Sequence, residues 1–433
     1  MSARNRTLGW PLVALSAVAF AALSLLAWRG ELGAKALVLL LVAGAAFLVG
    51  RRNLSPDSRR PVDTAGKAIF TLVGMMALLR HRIPVEDGVH LPIYVAIQEH
   101  IGSVDPTTFV VFGLIAMAIK FCGVIASAFG WHLLLVGQGI RYPFWSAIMT
   151  AFLIGRFIGT FLPSTIGLDG YTLFEAGRYS NQWSRCVTAK ALEKFVGIAG
   201  LFLGMVLTLP FGYQVIVDVV EKVGRPEAAP LLAGGIAAIA GGICAAVVIG
   251  LVWPVLLTKS MTLLGKVLPG AVRVQVDKLA AAVGAYKGQV GLLFAVLLAK
   301  FITHFTTAVV YYFTALAIGV TAAQFWPITF GSTIQILATV LSPTIAGEGA
   351  REAFQALLLS KQLGGVAQAV LSAALGFIAA EAATMWGGAF LWTRKPGWRP
   401  SSTLVDGAQV DYAWIDDSED AGFDAAKIAA AAR

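Results

Sequence analysis

The sequence predicts an all-α polytopic membrane protein with about eight transmembrane helices, two re-entrant broken segments and an inverted internal repeat. Three observations predict it. The chain has 433 residues, 58% hydrophobic and only 13% charged, with a mean hydropathy of +0.77; a soluble domain carries about a quarter charged residues. Apolar runs of bilayer length recur along it. Two of those runs are interrupted by Pro, Gly and charge about 180 residues apart, the pattern expected of a transport site in a repeated membrane fold.

The elements follow in order. The run 10–28, preceded by Arg4 and Arg6, reads as an uncleaved first helix, being long and lacking a small-residue cleavage pattern. Residues 34–49 form the second span. Arg51, Arg52, Arg59 and Arg60 then mark a cytoplasmic segment, 51–65. The stretch 66–80 is a short span or an interfacial helix. Residues 80–107 carry Glu86, Asp87, Glu99 and Asp105 with His81, His90 and His100; histidine spacings of nine and ten fit no compact metal motif, so a solvated loop is expected. Spans follow at 108–140, 186–210 and 231–257, with a neutral outer loop at 211–229. The loop 259–289 sets five basic residues against Asp277 and is expected inside. Spans 290–320 and 366–393 complete the set. The tail beyond carries seven acids and reads as a short, disordered cytoplasmic segment. The division is 1–104, N-terminal membrane helices and loop; 105–393, a membrane domain with repeats at about 105–258 and 285–393; and 394–433, the acidic tail.

The arm 143–162 leads into the first break, GRFIGTFLPSTIGLDG from Gly155 to Gly170, and the arm 325–342 into the second, PTIAGEGARE from Pro343 to Glu352. Pro163 and Gly167, then Pro343, Gly347 and Gly349, are the expected structural breaks. Backbone freed at membrane depth is tolerated only where protein buries it or a wet cavity receives it. A shift of 180 residues lays Lys120-Phe121 on Lys300-Phe301, Gly139 on Gly319, Pro163-Ser164 on Pro343-Thr344 and Gly167 on Gly347. With both arms re-entrant and the N-terminus inside, the basic segments fall on one side and the repeats are inverted.

An ionised side chain at the bilayer centre costs at least about 2.5–3.5 kcal/mol on insertion scales, so such residues are functional candidates. Substrate-binding candidates are Arg156, Ser164, Asp169, Lys120, Lys300, Arg351 and Glu352. Candidates for an ion pair or relay are Glu193, His304, Glu348 and Glu381. Bland roles stand beside these. Lys120 and Lys300 are either partners of a carboxylate such as Glu193 or Glu381, or part of a translocation path. Arg156 either braces the broken arm or holds a phosphate in its bidentate fork. Arg351 and Glu352 are also an ordinary helix-start pair. Glu348 and Glu352, four apart, would share a helix face. Trp131, Trp145, Trp326 and Trp386 are interface anchors or packing.

The net charge of +9 and a pI near 9.5 report topology rather than nucleic-acid binding, since no basic stretch is interleaved with exposed aromatics. Cys122, Cys186 and Cys244 form no CxxC pair and are expected as small buried residues, so neither metal nor cofactor is expected. No GxSxG, Walker loop, HExxH or paired HxxxD motif is present, so a non-enzyme is expected.

The first break, then Ala191-Leu192-Glu193-Lys194-Phe195-Val196-Gly197, then PTIAGEGARE with its trailing leucines, resembles the lysylphosphatidylglycerol synthase transmembrane-region family, a group of flippase-like membrane domains. The likeness covers roughly 105–393 and rests on Gly155, Arg156, Phe157, Pro163, Ser164, Gly167, Asp169, Glu193, Gly197, Pro343, Gly347, Gly349, Arg351 and Glu352. It departs at Leu168, where the family has glycine, and at Thr172 and Lys194, where it has arginine. The resemblance implies a lipid flippase or transporter moving an amphipathic lipid, anionic or isoprenoid-type, between leaflets. Some relatives carry a soluble aminoacyl-transfer domain after the membrane part; this chain, ending in an acidic tail, is not expected to be a complete synthase. The alternatives are an accessory subunit or enzyme of lipid-linked glycan or isoprenoid metabolism, and a structural protein whose buried charges tie helices together. Expected partners are membrane lipids, no nucleic acid, and a membrane-protein partner or a second copy, in the bacterial inner (plasma) membrane with both termini cytoplasmic.

Overall fold

The computed structural model describes residues 9–29, 34–85, 89–161, 166–253, 280–342, 344–395 and 397–410. Among these, eight helices are long and apolar enough to cross a membrane: Gly9–Arg29, Asp57–Arg80, Pro106–Gly137, Phe144–Phe161, Trp183–Lys222, Pro226–Val252, Val290–Ala317 and Val366–Thr393. The protein is an all-α polytopic membrane protein. The helix Ala34–Asn53 stands where the second span is expected and is not among the eight, whereas the limb 144–161 is. The basic loop 259–289 falls mostly outside the described residues, as do Pro163, Ser164, Pro343 and the tail from 411.

The chain divides into two compact units, each described by itself. The smaller takes the described residues of Met1–Phe112, Thr314–Gln324 and Ile334–Leu375. Its first helices are α1 (Gly9–Arg29), α2 (Ala34–Asn53) and α3 (Pro56–Arg80). Phe20, Leu23, Ala43 and Val73 make their common core, and Ser16 Oγ donates to the Ala43 carbonyl at 2.9 Å. The basic segment 51–65 is helical on both sides of a two-residue corner. Pro56 sits in the first turn of α3, where its missing N–H is no loss, so the arginines lie on helix ends.

Residues 80–107, expected as a solvated loop, are instead ordered. An antiparallel hairpin pairs β1 (Arg82–Pro84) with β2 (His90–Pro92), and α4 (Ile93–Ser103) follows. Ile83 of the hairpin and Ile93 and Ala96, one turn apart on α4, are buried in one cluster with Ala367 and Val370. His100 Nε2 is 2.9 Å from the Ile318 carbonyl. Asp105 then caps α5 (Pro106–Gly137), its Oδ2 accepting from the Thr108 N–H and hydroxyl, both at 2.7 Å.

The larger unit takes the described residues of Gly113–Phe313, Phe325–Thr333 and Gly376–Arg433. Most of α5 belongs to it. A π-helical turn, Phe144–Met149, leads into α6 (Thr150–Phe161); α7 (Ile166–Ser180), α8 (Trp183–Lys222) and α9 (Ala229–Val252) follow. The outer loop expected at 211–229 is largely helix. Helix α8 runs 40 residues straight through Pro210, about 60 Å at 1.5 Å per residue. A proline inside a membrane helix is tolerated because neighbouring groups satisfy the freed carbonyl, so Pro210 is not the stop it resembles. The core gathers Trp131, Phe152, Leu192, Tyr286 and Leu293. Helix α10 (Val290–Ala317) starts here and α11 (Phe325–Leu341) supplies its first half. Cys122 is exposed rather than buried, and Cys186 is buried.

The short helix α12 (Ala350–Leu359) precedes the final span, which consists of α13 (Val366–Met385) and α14 (Gly388–Thr393). A three-stranded sheet pairs β3 (Ile140–Arg141) with β4 (Leu404–Val405) and β4 with β5 (Ala408–Gln409).

Candidate functional site: a lysine–carboxylate cluster and an apolar groove

In the larger unit, two buried lysines converge on Glu193. Its Oε1 accepts from Lys300 Nζ of α10 at 2.5 Å and its Oε2 from Lys190 Nζ, one turn earlier on α8, at 2.6 Å. All three side chains are at most 10% exposed. Lys300 also donates to Ser127 Oγ at 3.1 Å, and Lys190 to Thr172 Oγ1 at 3.0 Å. The Trp131 indole lies 3.8 Å from the Lys190 ammonium, a cation–π contact that partly replaces lost hydration. What permits this closeness is a glycine. A Cβ at Gly200 would lie 2.8 Å from the Lys300 carbonyl carbon and the Phe301 nitrogen, so α8 and α10 touch backbone to backbone there.

Asp169 extends the cluster. It stands in the first turn of α7, directly after the first break, pairs with Lys194 through Oδ2, and lies 3.8 Å from Lys190 through Oδ1. Gly167 is placed in that same helical turn, where it packs flat against Gly159 of α6 and lets the two limbs of the break close together. His304 lies one turn beyond Lys300 on α10 and bonds the Gly197 backbone. Lys120 donates to Thr307 Oγ1 at 2.9 Å. Arg156 is held separately: its Nε donates to Thr384 Oγ1 and its Nη2 to Glu381 Oε1, both at 3.1 Å, while Thr160 donates to Glu381 Oε2 at 2.6 Å. This pair clamps α6 to α13.

The smaller unit holds the second break. Past Leu341 the chain makes a 3-10 turn, Ile345–Gly347, then enters α12. Gly347 (φ +74°) and Gly349 (φ +77°) adopt left-handed conformations that disfavour any side chain. Glu352 Oε2 accepts the Gly349 N–H at 2.7 Å, closing the helix start, and Oε1 receives Arg351 Nη1 at 3.3 Å; both side chains are buried. Glu348 lies in the turn ahead of the helix, so it shares no helical face with Glu352. The Ile345 N–H donates to Thr71 Oγ1 of α3 at 2.8 Å. Protein thus receives backbone that the break frees, as a bilayer requires.

A groove of about 610 Å³ opens beside this turn. Its walls are apolar: Phe70, Gly74 and Leu78 of α3 face Ile334, Leu337 and Leu341 of α11. Its polar groups come from the break itself, at Ser342, Thr344 and Glu348, and α12 closes it through Ala353 and Phe354.

Lys190, Trp131, Thr172 and Ser127 are the site residues that sequence reasoning missed. The spacing of Lys190, Glu193 and Lys194, three and four apart on one helix, was the signal available for Lys190, and the departure from the family's arginine was the signal for Thr172; Trp131 and Ser127 have none. Searches of curated proteins and of solved structures found no match. A family model described as the lysylphosphatidylglycerol synthase TM region matches residues 95–386. That match covers more than half of the chain and includes both breaks, the lysine–carboxylate cluster and the α11 and α12 side of the groove, the α3 wall lying before it, and the protein belongs to this family.

Proposed function

We propose that this protein moves an amphipathic lipid between the leaflets of its membrane and is not itself an enzyme. The groove at the second break carries the proposal. Its volume lies within the roughly 300–1,000 Å³ of ligand pockets, its walls suit hydrocarbon, and its polar groups are concentrated in one turn of chain. Family membership supports the same reading. We further read the two halves as inverted repeats that rearrange to give alternating access. Support comes from features 180 residues apart: Lys120 and Lys300 on long helices that end at Gly137 and Ala317, and Gly139 and Gly319, both with left-handed backbone just past those ends.

The full-length protein reconstituted in liposomes should accelerate transbilayer movement of fluorescent lipids. Ala353→Trp, at an exposed position on the groove wall, should return the rate towards that of protein-free liposomes while thermal unfolding is unchanged. Absence of acceleration across anionic, zwitterionic and cationic headgroups would overturn the proposal.

A further inference from the structure

The cluster around Glu193 is not charge-balanced. Lys190, Lys194 and Lys300 face two carboxylates, Asp169 and Glu193, leaving one positive charge in excess among these five. The distribution of that excess is uneven. Both Glu193 oxygens are taken by lysines buried at the helix contact, and Lys190 and Lys300 have second partners in Thr172 and Ser127. Lys194 differs: its side chain is 53% exposed, and its carboxylate partner is Asp169. One turn along α8, a Cβ at Gly197 would meet nothing within 4 Å. The cluster therefore presents a cation at an open edge, and its acids are already saturated by the protein's own ammonium groups.

A headgroup carrying an added amine needs a carboxylate to receive it. Here it would have to displace a lysine from an acid, next to surplus positive charge that repels it. An anionic headgroup meets the opposite situation: Lys194 can donate to a phosphate oxygen if Asp169 lets go. We infer that the site takes a lipid with an anionic phosphate headgroup and no added amine, and that Asp169 is a built-in competitor that occupies Lys194 until such a headgroup replaces it. The inference rests on the chain handling lipid, and it predicts the opposite sign for Asp169 from a direct substrate contact.

The test measures binding to the full-length protein in detergent micelles with three probes: phosphatidylglycerol, phosphatidylcholine and lysyl-phosphatidylglycerol. Wild type should prefer phosphatidylglycerol and bind the lysyl lipid weakest. Asp169→Asn should tighten phosphatidylglycerol roughly two- to fivefold, as expected for removing a partly exposed ion pair, with no gain for phosphatidylcholine. Lys194→Gln should abolish the preference for phosphatidylglycerol and serves if the Asp169 variant does not fold. Weaker or unchanged phosphatidylglycerol binding in Asp169→Asn, or a wild-type preference for the lysyl lipid, sinks the inference and leaves lipid handling intact. Binding of none of the three lipids sinks both. Equal occupancy by inorganic phosphate would assign the site to a free anion and overturn the lipid headgroup.

Discussion

Neutralising Glu193 tests whether the buried cluster is held together as its geometry implies. Glu193→Gln keeps the shape and removes the charge that Lys300 and Lys190 approach at 2.5 and 2.6 Å. The two lysines do not suffer equally. Lys190 retains Asp169 at 3.8 Å, Thr172 and the Trp131 ring, whereas Lys300 retains Ser127. The loss falls mainly on Lys300, which is 7% exposed at its side chain. Breaking a buried pair by removing one partner destabilises by about 3–5 kcal/mol, because the other charge stays desolvated. Removing both charges should recover much of that, so Glu193→Gln with Lys300→Gln is expected to be more stable than Glu193→Gln alone. The assay is equilibrium unfolding in mixed micelles for the wild type, both single variants and the double variant. A coupling energy of about 0.5–3 kcal/mol is expected for residues in direct contact. Single-variant losses under about 0.5 kcal/mol, the size of a surface substitution, would show that the charges are solvated and the reasoning wrong.

The same measurement on Gly200→Ala should show a loss of about 1–3 kcal/mol, because the new methyl meets backbone of α10 at 2.8 Å and must push Lys300 away from Glu193; wild-type stability would mean the helices separate freely. Gly349→Ala, at φ +77°, should lose about 1–2 kcal/mol from the left-handed penalty, and an unchanged unfolding midpoint would contradict that backbone. The Thr108 hydroxyl and N–H hold the Asp105 carboxyl below its ordinary value of 3.8. Its cap is therefore fully present above that value and is lost as pH falls below it. Hydrogen exchange in the first turn of α5 should speed up through this acid range in the wild type and not in Asp105→Asn, which keeps the cap without titrating; identical pH profiles would refute the assignment.

The sequence by itself determined the membrane class, the helical architecture, the two breaks and the residue family of the site. Those properties follow from local composition: apolar runs of bilayer length permit little but helix, Pro343 interrupts one, and Gly347 and Gly349 weaken it. Sequence also exposed Glu193, Lys300, Asp169 and Arg156, because a charge inside an apolar run stands out whatever it touches. Local signals misled where a residue has two uses. The span expected to end at Pro210 continues through it as helix into the stretch expected as an outer loop. Only the tertiary structure decided the pairings: Lys300 rather than Lys120 on Glu193, Arg156 on Glu381, and Lys194 on Asp169. Those choices depend on which helices touch, and the contact at Gly200 that seats Lys300 is set by backbone approach between segments about a hundred residues apart. The groove beside Glu348 was equally out of reach, since its walls come from α3 and α11 and no local pattern records the space between two helices.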